Sequence, residues 1–149
     1  MDRRRFLLAA LTAPLLARTA FAATPPLEVF KSPTCGCCSA WIDHVVEAGF
    51  EVTARDLDQD ALSRLKARAG LSPELASCHT GFVDGYVLEG HVPAADVKAL
   101  LAERPAALGL AVPGMPVGSP GMEMGGRRDP FDTLLIGREG GVTVFRSHG

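Results

Sequence analysis

Leu27-Glu28-Val29-Phe30, followed three residues later by Thr34-Cys35-Gly36-Cys37-Cys38, is the stretch around which the chain is organised. Three of the four cysteines lie within four consecutive positions. Leu27 to Phe30 reads as a strand, Pro33 and Gly36 as a turn, and Ser39 to Ala48 as a helix with Trp41, Val45 and Val46 facing inward. The cysteines then sit at a helix N-terminus, where unpaired N–H groups and the macrodipole favour thiolate. Thiolate is the form that attacks disulfides and binds soft metals. Cys35 and Cys38 make a C-x-x-C pair, and Cys37 adds a sulfur that an ordinary dithiol site lacks. A structural disulfide would need only two of the three.

Outward from this turn, Glu51 to Arg55 is β-compatible and predicts a second strand. Gln59 to Ala69 predicts a helix with Asp58 as N-cap and Leu62, Leu65 and Ala69 at helical spacing, ended by Gly70. Strand, helix, strand, helix implies parallel strands joined by right-handed crossovers. In Cys78 to Leu88, Asp84-Gly85 separates two apolar runs, which is the pattern of a two-residue hairpin. Pro93 then opens a helix over Ala94 to Glu103, with Val97, Leu100 and Leu101 on one face.

The fold class expected is α/β: a thioredoxin-like, glutaredoxin-like mixed sheet flanked by helices, closed by Phe82 to Leu101. In that fold the loop before the third strand faces the C-x-x-C turn, usually through a cis-proline. Here the place is held by Cys78-His79-Thr80, with no proline. The topology therefore carries a fourth sulfur and an imidazole towards the first three. His79 is a candidate metal ligand or proton relay.

Ala111 to Arg128 differs from everything else in the chain. Its Pro-Gly-Met units predict a long loop, neither helix nor central strand. Met115, Met122 and Met124 are all the methionines apart from the initiator. Thioethers are neutral soft ligands that suit Cu(I) better than zinc or magnesium; as plain packing groups they would be flexible fillers. Thr133 to Ile136 and Val142 to Phe145 flank Gly137 to Gly141 and predict a C-terminal β-hairpin that extends the sheet.

Residues 1–22 have the form of a signal peptide. Arg3-Arg4-Arg5 is followed by the apolar run Phe6 to Ala17, too short to span a bilayer, and Ala20-Phe21-Ala22 fits an A-x-A cleavage site. Arg3 to Leu7 also resembles a twin-arginine signal. The expected organisation is a leader at 1–22 and one thioredoxin-like metal-binding domain at 23–149, exported to the periplasm. The leader holds four of the fifteen basic and one of the seventeen acidic residues, so the remainder has eleven against sixteen, a net of −5. With no basic patch or basic–aromatic interleaving, nucleic acid is not an expected partner. No second stretch approaches membrane-spanning length.

Several motifs occur in one order: Cys35-Gly36-Cys37-Cys38 with Trp41, Ser77 to Thr80, Gly85 to Pro93, Gly109 to Pro116, and Gly118 to Glu123. Together they resemble the CopG-type family of periplasmic thioredoxin-like proteins associated with copper resistance. The resemblance covers nearly the whole chain beyond the leader. It implies copper bound by Cys35, Cys37, Cys38 and Cys78, with His79, Met115 and Met122 as candidate supporting ligands and some exchange of electrons with the metal; the softness of thiolates and thioethers makes Cu(I) the expected oxidation state. The partners it implies are copper ions and other periplasmic copper-handling or redox proteins.

The expected function is therefore periplasmic copper binding with a copper/thiol redox role. Adjacent Cys37 and Cys38 have Cα atoms about 3.8 Å apart, below the usual disulfide range of about 4.4–6.8 Å. Cys35–Cys38 is the natural bridge, leaving Cys37 to pair with Cys78. The alternative function is a thiol–disulfide oxidoreductase with Cys35 as catalytic nucleophile and Cys38 as resolving thiol. A structural zinc site of Cys35, Cys37, Cys38 and His79 is a third reading, but it is cramped and leaves the methionines unexplained. His44 is expected on a helix surface, His91 in the turn before Pro93, and His148 in solvent. Asp56 to Asp60 lacks the glycine and closing glutamate of a calcium loop and reads as a helix-start acid cluster.

Overall fold

In chain order the elements are β1 (Leu27–Lys31), α1 (Gly36–Glu47), β2 (Val52–Asp56), α2 (Gln59–Arg68), a short 3-10 turn (Pro73–Leu75), β3 (His79–Val83), β4 (Tyr86–Gly90), α3 (Ala94–Glu103), β5 (Ala107–Val112), β6 (Phe131–Gly137) and β7 (Val142–His148). These come from a computed structural model, which describes residues 24–149. The leader at 1–22 lies outside the described residues. The strands form one seven-stranded mixed sheet in the order β2-β1-β3-β4-β5-β6-β7. β1 runs parallel to β2, and β4 parallel to β5 across α3; the other neighbours are antiparallel.

Most elements follow from local chemistry. The Asp58 side chain accepts the Ala61 N–H at 2.7 Å and caps α2. Asp84 and Gly85 both take positive φ, 46° and 83°, as a two-residue hairpin turn between twisted strands demands. Each face of the sheet has its own apolar cluster. Trp41 and Val45 of α1 and Val97 and Leu100 of α3 pack with Leu88 and Leu110 on one face. Leu71 and Leu75, just beyond α2, pack with Val87, Ala111 and Ile136 on the other. Alternate residues of β4 and β5 serve the two clusters, as the period of two requires. Each fully buried Val or Leu contributes about 1.5–3 kcal/mol.

Four expectations need correction. Val46, expected inward, is 49% exposed; Trp41 and Val45 already fill the stripe that α1 turns to the sheet. Ala111 and Val112, expected in the methionine loop, are the last residues of β5. The apolar run Ala107–Val112 is a central strand, buried on both faces like the strands of a parallel sheet. His44 is not a free surface residue, because its Nε2 accepts the Ala94 N–H at 3.0 Å and joins α1 to the start of α3. His148 is not simply solvated. Its Nε2 lies 2.8 Å from Asp96 Oδ2, which also accepts from Thr133 at 2.6 Å, and its ring stacks on Phe131. The buried Asp96 thus ties β7 and β6 to α3.

Candidate metal centre

The pairing of β1 with β3 builds the site. Lys31, at the C-terminal end of β1, pairs with His79, at the start of β3, so the turn leaving β1 and the segment entering β3 meet at one edge. Cys35 is the N-cap of α1, and Cys37 and Cys38 lie in its first turn, which contains no acidic residue. Cys35 and Cys38 are joined as a disulfide, with Cα atoms 5.3 Å apart. Cys37 and Cys78 are free thiols whose sulfurs are 3.7 Å apart, although 41 positions separate them in the chain. Cys37 Sγ is also 3.5 Å from Cys35 Sγ. All four sulfurs fall within 4.8 Å of one another. Cys38 is buried and the other three are half-buried.

Two imidazoles converge on Cys78. His91 Nε2 is 3.0 Å and His79 Nδ1 is 3.5 Å from its sulfur, and both rings are fully buried. His91 Nδ1 is 2.8 Å from the Pro120 carbonyl, which can only accept, so Nδ1 carries the proton. Nε2 then presents a lone pair to Cys78. Burial holds the His91 pKa below its ordinary value, against the pull of the Pro120 carbonyl and Glu123. His79 is held well below, by burial first and then by the charges of His91 and Lys66. Its ring lies 4.3 Å from that of Trp41, and its Nε2 is buried with no hydrogen-bond partner. Burial, then the neighbouring Cys37, pushes the Cys78 thiol up to about 12. Without metal Cys78 is thus S–H, donating to His91, and a metal must displace that proton to bind.

The methionine loop reaches the cysteines through its backbone. Gly121 packs against α1 so closely that a Cβ there would lie 2.7 Å from the Cys37 carbonyl and the Trp41 nitrogen. The Gly114 carbonyl accepts from Ser77 Oγ, beside Cys78. Met115 and Met124 are 52% and 60% exposed, whereas Met122 is half-buried. Of the predicted residues, the structure gathers the four cysteines and His79, and it brings the loop carrying Met115 and Met122 against them. His79 meets Cys78, not the three turn cysteines, so the Cys3His set is not the one assembled. No peptide bond is cis among the described residues.

His91 was expected to stabilise a turn and belongs to the site instead. Hairpin arithmetic locates it. Counting outward from Val83↔Tyr86 through Thr80↔Glu89 sets Cys78 opposite His91.

A family described as a protein of unknown function, DUF411, matches residues 75–122, the span from Leu75 to Met122 that includes Cys78, His79 and His91. No curated protein matches the sequence. Two solved structures do. Form 1 of the copper resistance protein copG is 44% identical, covering 84% of this chain and 98% of its own, with a TM-score of 0.78. Form 2 is also 44% identical, covering 85% of this chain and 99% of its own, with a TM-score of 0.79. At that identity over almost the full length of those structures, the chain belongs to the CopG family of copper resistance proteins.

Proposed function

We propose that this is a periplasmic copper-binding protein that holds Cu(I) on the thiolates of Cys35, Cys37, Cys38 and Cys78. The domain is thioredoxin-like, spans residues 23–149 and is exported behind a twin-arginine-like signal peptide at 1–22. His79, Met115 and Met122 serve as supporting ligands. The observation that carries the reading is the Cys37–Cys78 approach, 3.7 Å between sulfurs 41 positions apart. A staple made by Cys35–Cys38 needs neither of them. Clustered thiolates with thioethers nearby select soft Cu(I) by ligand type, and copper is what the relatives' name specifies. The order strand, helix, strand, helix, hairpin, helix through α3 supports the thioredoxin-like reading. Among the described residues no helix is long and apolar enough to cross a membrane.

The copper-loaded form has the Cys35–Cys38 disulfide open. Closing it from the metal-bound thiolates passes two electrons to a disulfide oxidant, which is reduced to two thiols with protons from solvent, and withdraws two of the four sulfurs, which couples metal load to redox state. The test is anaerobic Cu(I) titration of the reduced protein against bathocuproine disulfonate, followed by thiolate-to-copper absorption in the ultraviolet. Tight binding that is lost when the four cysteines are replaced by serine is expected. Failure to compete with the chelator overturns the reading.

The closed C-x-x-C disulfide at a helix N-terminus favours a second reading, a thiol–disulfide oxidoreductase using Cys35 and Cys38. Replacing Cys37 and Cys78 with serine separates the two. Insulin reduction that survives supports the oxidoreductase, and copper binding that disappears supports the metal site.

A further inference from the structure

The two segments that meet at the cysteine edge are linked by a third that crosses between them. Gly114 is fastened on one side. Its N–H donates to the Ala76 carbonyl at 3.3 Å, and its carbonyl accepts from Ser77 Oγ, beside Cys78. Gly121 is fastened on the other, against the Cys37 carbonyl and the Trp41 nitrogen of α1. Residues 114–121 therefore run from the Cys78 side of the edge to the Cys37 side. We infer that this stretch is a strap that holds polypeptides back from the cysteines and leaves the edge open to ions and to small thiols and disulfides. The inference concerns access, and it does not depend on whether the sulfurs hold copper or exchange disulfides.

The strap is built to stay in place. Ser119 is fully buried, and its Oγ donates to the Pro116 carbonyl at 2.7 Å. The Gly118 N–H donates to the Met122 carbonyl and the Met122 N–H to the Ser119 carbonyl, both at 2.8 Å. A surface loop closed on its own backbone in this way is a compact unit. His91 Nδ1 holds the Pro120 carbonyl at 2.8 Å, and the Glu123 carboxylate accepts the Gly121 N–H at 2.8 Å. The approach at Gly121 requires glycine. Its φ is +82°, and a Cβ would stand 2.7 Å from two backbone atoms of α1, neither of which can swing aside.

The strap takes the place that a polypeptide would need. An extended peptide binds by pairing its backbone with free N–H and C=O groups. Beside Cys78 those groups are taken, because the Ala76 carbonyl accepts from Gly114 and the Ser77 N–H donates to Glu89 at 2.6 Å. Gly114 pairs there as an incoming strand would. An ion or a small thiol needs no such pairing, and Cys35, Cys37 and Cys78 are only half-buried.

The test keeps Cys35, whose sulfur lies 3.5 Å from that of Cys37, as the single cysteine by Cys37→Ser/Cys38→Ser/Cys78→Ser. Its attack on two probes is followed. One is free cysteine and the other an extended peptide with a central cysteine, each activated as the mixed disulfide with thionitrobenzoate. In both, the Cys35 thiol gives its proton to solvent and its sulfur bonds to the cysteine sulfur of the probe. The old S–S bond breaks and releases coloured thionitrobenzoate with the electron pair. Each rate is divided by that of free glutathione with the same probe, which removes intrinsic reactivity.

The closed strap should make the peptide probe slower than the cysteine probe by about tenfold or more, since only the open fraction reacts with it. Adding Gly121→Ala should recover most of that factor while changing the cysteine rate by less than about twofold. Ser77→Ala removes one fastening and should raise the peptide rate by about threefold. It decides the matter if far-ultraviolet circular dichroism shows that Gly121→Ala is not folded. Equal normalised rates for the two probes in the single-cysteine protein overturn the inference. So does an equal rise for both probes on opening the strap, or no rise for the peptide in the folded variants.

Discussion

The β3–β4 hairpin carries two buried polar clusters, one turned to each face of the sheet. Thr80 and Glu89 are directly paired across the strands and face α2. There Lys66 Nζ donates to Glu89 Oε1 at 2.6 Å and to Thr80 Oγ1 at 2.9 Å, Thr80 Oγ1 donates to Glu89 Oε2 at 2.7 Å, and the Ser77 N–H donates to Glu89 Oε1 at 2.6 Å. Both carboxylate oxygens are used. One residue earlier in β3, His79 faces α1 and Trp41, with an orphaned nitrogen and a free thiol beside it. The same hairpin thus supports a closed network and an open one. A closed network has spent its hydrogen bonds and acts as a staple, whereas an open one keeps valences for something that arrives from outside.

The largest expected effect breaks the closed cluster. Glu89→Ala strands the buried Lys66 ammonium and frees the backbone ahead of Cys78, and should lower unfolding free energy by about 3–5 kcal/mol. Replacing both partners by apolar residues, Lys66→Met with Glu89→Leu, should recover most of that loss. In the open cluster the balance reverses. His79→Phe removes an unsatisfied atom and keeps the ring against Trp41, so stability should hold while copper affinity falls. Urea denaturation of the three variants measures this. A Glu89→Ala cost as small as that of His79→Phe would erase the distinction between the clusters.

How far these clusters were legible depends on the kind of pattern that encodes them. The cysteine turn, the Asp58 cap and the Asp84-Gly85 hairpin are local, and each was readable from a few adjacent residues. Cys78 and His79 were legible one step further on, through the expected strand order. His91 needed the hairpin register as well, which was available once Asp84-Gly85 was recognised. β5 was obscured by the proline-rich loop after it, which drew Ala111 and Val112 into the wrong element although Ala107 to Val112 is one apolar run. The His44–Ala94 and Asp96–His148 contacts join elements 50 and 52 positions apart, with no periodicity to announce them. Of the expected disulfides, backbone spacing gave Cys35–Cys38, but the Cys37–Cys78 bridge is absent: the two remain free thiols with sulfurs 3.7 Å apart, which spacing along the chain could not decide.

A smaller effect comes from pH and separates the clusters without mutation. His79 and His91 are both held neutral in the fold, chiefly by burial. Cys78, His91 and Trp41 face the first, with the Lys66 charge acting from the other face of the sheet, and Cys78, His79, Pro120 and Glu123 face the second. In the unfolded chain each takes up a proton near pH 6.5. Below that value the unfolded state binds more protons than the folded one, so stability rises with pH and is lost as pH falls. Each histidine contributes at most about 1.4 kcal/mol per pH unit. Urea midpoints of the metal-free protein from about pH 7.5 to about pH 5.5 should fall, and His79→Phe should flatten the decline. An identical slope in that variant would mean that the open cluster does not feel its burial.

The smallest effect concerns the loop beside the open cluster, and it turns on where the loop is fastened. Met115 follows Gly114, whose carbonyl is bonded by Ser77 and whose N–H donates to Ala76 at 3.3 Å. Met122 follows Gly121, which is pressed onto Cys37 and Trp41. Both are therefore held next to a cysteine-bearing segment. Met124 is bridged to Arg127 at the exposed end of the loop. Replacement of each by leucine should change stability by no more than about 0.5 kcal/mol, so an altered Cu(I) affinity would report the thioether itself. Met115→Leu and Met122→Leu should bind Cu(I) more weakly than the parent in the chelator competition, and Met124→Leu should bind equally well. If Met124→Leu were the weakest of the three, the backbone anchors would not be what brings thioethers to the metal.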